Sequence, residues 1–226
     1  MDTRKGGVKG AIVFLYFLIA GLLLVAEADR NMKLISVFKP MLIPLLGLLY
    51  FVTSSKRDPL YFGVLLFAWS SNVLLLTNGG SHVYYAIVTF LVYRILVISI
   101  VIRCTVKFHL AAFLIAIVPF LFLFAYLIDM TADVLGSGLY PSIANALVMS
   151  VLAALSLSNY IFENDRRSSW LLISSLLFVV LMFIFVIERF YVSNPVFRPS
   201  SVLVFCSAHY AFYRYVLLTE EGDDNE

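Results

Sequence analysis

Charge is scarce in this sequence. Asp, Glu, Lys and Arg make up 13% of its 226 residues, about half the share of an average soluble domain. Hydrophobic residues make up 62%, which excludes a soluble domain, because too few charges remain to cover an apolar core. The formal net charge is only +2 and no basic cluster is interleaved with aromatics, so nucleic acid is left out as a partner. Cysteine is limited to Cys104 and Cys206, both in or at the edge of apolar runs. Two such thiols read as buried hydrophobes, with no disulfide framework, no metal-ligand spacing and no cofactor expected. A nucleophile elbow, a phosphate loop, a zinc pattern and carboxylates paired deep within a run are all missing.

Apolar runs are what the sequence has instead. Eight of them lie near 10–27, 34–53, 60–77, 83–103, 108–128, 141–162, 170–190 and 200–218, each about the 20 residues a helix needs to span a bilayer. They are continuous rather than alternating, which predicts helices and not a barrel. The expected fold class is therefore all-α: a polytopic membrane protein with eight transmembrane helices in a single domain, residues 1–218, followed by a disordered acidic tail, 219–226. Short polar connections separate the runs, among them SSKRDP, TNGGS, a break around Lys107, and DMTADVLGSG. The first run follows Arg4, Lys5 and Lys9 as a signal peptide would, but it has no small-residue cleavage site and reads as a retained helix. Lys56, Arg57, Arg103, Lys107, Arg166, Arg167 and Arg214 fall on the side of the N-terminal cluster. The positive-inside rule then puts both termini in the cytoplasm, and the bias fits a bacterial inner membrane. Glu188, Arg189 and Tyr191 close the seventh run as an interface anchor.

Polar residues inside these runs are the candidates for function, since each is costly in hydrocarbon. Lys39 stands beside Pro40, one turn before Pro44. Its ammonium either snorkels to the outer headgroups or turns into the bundle, toward a phosphate or toward carbonyls that the prolines free. Ser70, Ser71 and Asn72 are either interhelical glue or substrate contacts. Arg94 lies near the middle of the fourth run, and no Asp or Glu lies near the centre of any run; the carboxylates available at the edges are Glu27, Glu188, Asp129 and Asp133 on one side, Glu163 and Asp165 on the other. Arg94 must reach an edge acid, use carbonyls and amides, sit in water, or bind an anion; its planar fork suits a phosphate. Tyr93 is its neighbour and a substrate-contact candidate. In the eighth run His209 is either a proton carrier or a hydrogen-bonded core imidazole, with Tyr210 and Tyr213 close by.

The stretch YFLIAGLLLVAEADRNMKLISVFKPMLIPLLGLL (16–49), with its AE after the first run and KP…PLL in the second, resembles the YhhN-like membrane proteins that include lysoplasmalogenases. FGVLLFAWSSNVLLL (62–76) is similar to that family's third span. Where the family carries a third-span Asp this chain has Asn72; where its fourth span carries His after Phe90, Arg94 stands. The family's seventh-span Ser-Asp falls on Leu181 and Met182, and its last-span Gln on Tyr213. The resemblance implies an integral membrane hydrolase that cleaves the vinyl ether of a lysophospholipid. Asn72, Arg94 and His209 would stand at the reaction, and Lys39, Ser70, Ser71, Tyr93, Tyr210 and Tyr213 would contact the substrate. The residues themselves leave two alternatives open: a cavity that binds or moves a lysophospholipid or other amphiphile without cleaving it, and a structural membrane subunit. Oligomeric state is not written in the sequence.

Overall fold

The computed structural model of the chain describes residues 2–76, 80–105, 108–190 and 194–223. Among them are eight α-helices and no strand: α1 (Asp2–Ala28), α2 (Met32–Thr53), α3 (Pro59–Leu76), α4 (Gly80–Cys104), α5 (Leu110–Leu135), α6 (Leu139–Glu163), α7 (Arg166–Phe190) and α8 (Phe197–Asp223). Seven helical stretches are long and apolar enough to cross a membrane, one of them the continuous run Leu110–Glu163. That run doubles back. A 3-10 turn at Gly136–Gly138 interrupts it, with Gly136 at φ 50° and ψ −123°, a conformation open to glycine. His109, just before α5, stacks on Phe162, near the end of α6, with ring centroids 3.8 Å apart. The two helices are therefore antiparallel. The connections expected at 77–79 and at Lys107, and Tyr191, lie outside the described residues.

Compact turns set the pairing of neighbours. Arg30 takes φ 53°, and the N–H groups of Asn31 and Arg30 return to the carbonyls of Ala26 (2.9 Å) and Glu27 (3.3 Å). This closes α1 with a Schellman motif. The Asn31 side chain then accepts from Leu34 N and caps α2. At the other end of the bundle Asp165 and Ser168 form a capping box on α7: Ser168 N donates to Asp165 Oδ1 at 2.6 Å, and Asp165 N to Ser168 Oγ at 3.2 Å.

The two prolines of α2 have one visible consequence. Pro44 has no N–H, so the carbonyl of Pro40, four residues back, loses its helical partner. Trp69 of α3 supplies one, its indole Nε1 donating to Pro40 O at 3.0 Å. The freed carbonyl thus binds α3 to α2, where hydrocarbon offers no water to do so.

Helices α1, α2, α3, α4, α6, α7 and α8 pack in that order, and α8 returns to α1. They close a ring, with α5 outside it against α6 and α7. The half of the ring nearer the termini is filled by large side chains that are fully buried, among them Tyr50, Tyr61, Tyr213 and Leu46. The half toward the α1–α2 turn is hollow. Two expectations are corrected. Helix α5 runs on to Leu135 through residues read as a loop, with Thr131 turned inward and hydrogen-bonded to Leu127 O at 2.9 Å. The acidic tail, expected from residue 219 to be disordered, is helical through Asp223. Its Glu220 is buried and accepts hydrogen bonds from Tyr50 and, at 2.6 Å, from Ser54 Oγ.

Candidate functional site

The hollow half encloses a cavity of about 630 Å³ with residues of all eight helices in its wall. It runs from the helix ends, at Glu27, Met32 and Arg198, down to Leu42 and His209 near mid-helix. Its volume is within the range of about 300–1,000 Å³ typical of small-molecule sites. Lys39, Asn72, Tyr93, Arg94 and His209 all line it. The two cations singled out in the sequence, on α2 and α4, therefore share one chamber.

Arg94 is held by amide and sulfur atoms. Its NH1 donates to Asn145 Oδ1 at 2.8 Å, approaches Asn145 O at 3.5 Å, and lies 3.6 Å from Met182 Sδ. Asn145 is itself fixed, its Nδ2 donating to Ile87 O (2.9 Å) and Pro141 O (3.0 Å). Among the described residues no carboxylate lies within ion-pair distance of Arg94. The Arg94 Cα is about 21 Å along α4 from Gly80, but Asn145 is only about 9 Å along α6 from Leu139, at 1.5 Å per residue. A long helical side chain points back toward its own N-terminus. The guanidinium is thus lifted from the expected midplane level toward the open end. Arg94 and Met182, which stand where the resemblance expects histidine and aspartate, meet here across α4 and α7.

The other charges in the wall are paired. Lys39 Nζ is 3.3 Å from Glu27 Oε1, and Arg198 Nε is 2.7 Å from Glu188 Oε1. Lys39 is about two turns into α2 and reaches the last turn of α1, so it takes a carboxylate and not the carbonyl that the prolines free.

His209 lies at the bottom of the cavity, between Tyr93 (ring centroids 5.8 Å apart), Phe178 (5.0 Å) and Phe205 (4.2 Å). Its Nδ1 is 3.0 Å from Phe205 O. A carbonyl only accepts, so Nδ1 carries a proton and Nε2 of the neutral ring holds a lone pair. That Nε2 and the hydroxyl of Tyr93 are buried without a hydrogen-bond partner. Each such atom costs about 1–3 kcal/mol unless something fills the space beside it. Asn72 spends one amide hydrogen in its own helix, on Ala68 O at 2.8 Å.

Four expected contacts are not in the wall. Ser70 is half-buried and Ser71 buried, and each bonds back to its own helix, to Leu66 O and Phe67 O. Successive helical residues point about 100° apart, so Asn72 can face the cavity while these two do not. Tyr210 packs on Tyr16 and Phe17 at the ring exterior. Tyr213 is a turn below the cavity floor, its hydroxyl 2.9 Å from Thr53 Oγ1. Conversely Asn145, Glu188 and Arg198 belong to the site. Asn145 could have been found by asking which neutral amide is close enough to the same membrane level to hold Arg94.

No curated protein matches the chain, and no solved structure does. The YhhN family model matches residues 34–216, a span that takes in Lys39, Asn72, Arg94, Asn145 and His209. The chain, an all-helical bundle around this cavity, belongs to the YhhN family.

Proposed function

We propose that the chain is a lysoplasmalogenase-like membrane hydrolase whose cavity takes one single-chain ether phospholipid. The observation that carries this is Arg94: a guanidinium inside the cavity, braced by Asn145 and without a carboxylate among the described residues. A cation so placed favours a phosphate, to which it presents parallel N–H groups. With the phosphate there, the alkenyl ether next to the glycerol points down toward Tyr93 and His209, among the apolar side chains of Leu42, Phe178 and Phe205. Hydrolysis needs a proton on the β-carbon of the vinyl ether and water on the α-carbon. The hemiacetal then collapses to a fatty aldehyde and a glycerophospho-alcohol. His209 is the group in the lower wall that can carry a proton at Nε2 in one protonation state and take it from water in the other. The test is aldehyde release from lysoplasmalogen by the purified protein, beside Arg94→Ala and His209→Ala. Release lost in both variants supports the reading; no release from the wild type at any pH overturns it.

A second reading is favoured by one observation. Both carboxylates in the wall, Glu27 and Glu188, are already tied to cations, and Asn72 does not titrate. A cavity whose described wall has only His209 and Tyr93 as unpaired proton carriers could hold or pass an amphiphile without cleaving it. Lipid bound without aldehyde formed would select this reading.

We also propose eight membrane crossings with both termini cytoplasmic, in a bacterial inner membrane. The His109–Phe162 stack supports counting α5 and α6 as separate crossings. The cluster of Arg103, Arg166, Arg167 and Arg214 supports the orientation. In that orientation the cavity opens on the side away from the cytoplasm. Thiol labelling of single cysteines placed at Arg30 and at Arg166 from outside intact cells should modify the first and spare the second.

A further inference from the structure

We infer that the cavity selects a net-anionic single-chain phospholipid, one whose phosphate is esterified to an uncharged alcohol, over a zwitterionic one. This inference rests on the reading of the cavity as a lipid site.

The argument is a charge inventory. Among the described residues, the ionised side chains in the wall are Glu27, Lys39, Arg94, Glu188 and Arg198. Two cations and two carboxylates cancel as ion pairs at 3.3 and 2.7 Å. Arg94 remains, so the described residues of the wall carry one uncompensated positive charge. Protonation of His209 would add to it and could not reverse it. Exposed Asp129 and Asp133 of α5 are not in the wall.

An incoming headgroup meets this field. A phosphodiester with an uncharged alcohol brings one negative charge, which neutralises the wall. A choline or ethanolamine headgroup brings the same phosphate and also a cation. That cation finds Glu27 and Glu188 already occupied, and has to compete with Lys39 or Arg198 for them. Like charges brought together in a poorly hydrated site repel strongly. Negative selection of this kind acts on the second charge of the headgroup and leaves the phosphate contact unchanged.

The geometry also assigns the selective element to Arg94 itself. Its anchor is a neutral amide, so its charge is not spent on the protein. Lysine at this position would keep the charge and lose the fork; glutamine would lose the charge.

The experiment is equilibrium binding of two lysophospholipids of equal chain length, lysophosphatidylglycerol and lysophosphatidylcholine, to the purified full chain in detergent. Native mass spectrometry reads the occupancy, with inorganic phosphate as a competitor. The wild type should prefer the anionic lipid by about tenfold, the effect of one repelled headgroup cation. Arg94→Lys should keep most of that preference. Arg94→Gln should bring the ratio to about one, with both lipids bound more weakly because both lose the phosphate contact. Equal binding of the two lipids by the wild type overturns the inference and leaves the cavity a lipid site. So does a preference that survives in Arg94→Gln. Binding of neither lipid overturns the cavity reading as well. Displacement of the lipid by inorganic phosphate at equal concentration would make the site one for free anions and overturn both. Should Arg94→Gln fail to fold, high salt tests the same charge in the wild type: loss of the preference supports the inference, and a preference that persists overturns it.

Discussion

Replacing Asn145 with leucine should destabilise the bundle, and the loss should depend on Arg94. Asn145 is 3% exposed and makes three close side-chain hydrogen bonds: one from Arg94 NH1 at 2.8 Å, and two from its own Nδ2, to Ile87 O at 2.9 Å and Pro141 O at 3.0 Å. An interhelical hydrogen bond in a membrane is worth about 0.6 kcal/mol on average. A bond to a buried charge is worth about 1.5–3 kcal/mol. The bond to Pro141 lies within α6 and adds little between helices. Leucine should therefore cost about 2–4 kcal/mol while Arg94 is present, most of it the stranded guanidinium. In an Arg94→Met background the cation is gone, and Asn145→Leu should cost only about 1 kcal/mol. The coupling expected from the cycle is about 1.5–3 kcal/mol. Equilibrium unfolding of the four proteins in mixed micelles measures it. Equal losses in the two backgrounds would refute the claim that Asn145 is the brace of Arg94.

Other perturbations test the rest of the structure. Trp69→Phe keeps the ring in place but strands the Pro40 carbonyl, and should cost about 0.5–1.5 kcal/mol in the same unfolding assay; no change would mean that the indole contact carries nothing. Deleting residues 219–226 removes the acceptor of Tyr50 and Ser54 and should cost about 2–4 kcal/mol, whereas removal of a free tail would leave unfolding unaltered. Asp165 has its pKa lowered: partial burial pushes it up, but the N–H and hydroxyl of Ser168 and the nearby Arg167 outweigh burial and hold the carboxylate ionised. Its contribution as cap is thus full above the ordinary aspartate range and is lost as the pH falls through the depressed folded value. Asp165→Ala should cost about 0.5–2 kcal/mol at neutral pH, and the difference from wild type should vanish in strong acid; a difference that grows on acidification would contradict this.

The helices were legible because hydrocarbon leaves a backbone few choices, and runs such as 34–53 and 83–103 carry that constraint in plain view. Misjudged boundaries share one cause. Asp129, Thr131, Asp133 and Glu220 look like loop residues when polarity is read locally. Yet Thr131 bonds its own helix, the two aspartates are exposed, and Glu220 is satisfied by Tyr50 and Ser54, some 170 positions earlier. No local pattern reports partners at that distance. Part of the site was legible for the converse reason: Lys39, Asn72, Arg94 and His209 stand out against apolar neighbours, and the absence of midplane acids left amides as one of four partners open to Arg94. Which of several adjacent polar residues faces inward was not legible. Ser71 and Tyr210 are each one position from a cavity residue and point elsewhere. Glu188 and Arg198, at opposite ends of the α7–α8 connection, pair with each other only in three dimensions.

The central claim is that Arg94 receives the phosphate of a bound single-chain lipid. Solid-state NMR on arginine-labelled protein loaded with lysophosphatidylglycerol measures it directly, through the dipolar coupling between the lipid phosphorus and guanidinium nitrogen. The account predicts a coupling at hydrogen-bonding range that disappears in Arg94→Gln while lipid remains added at saturation. A coupling that persists undiminished in Arg94→Gln, or none in a wild type shown to hold the lipid, would contradict it.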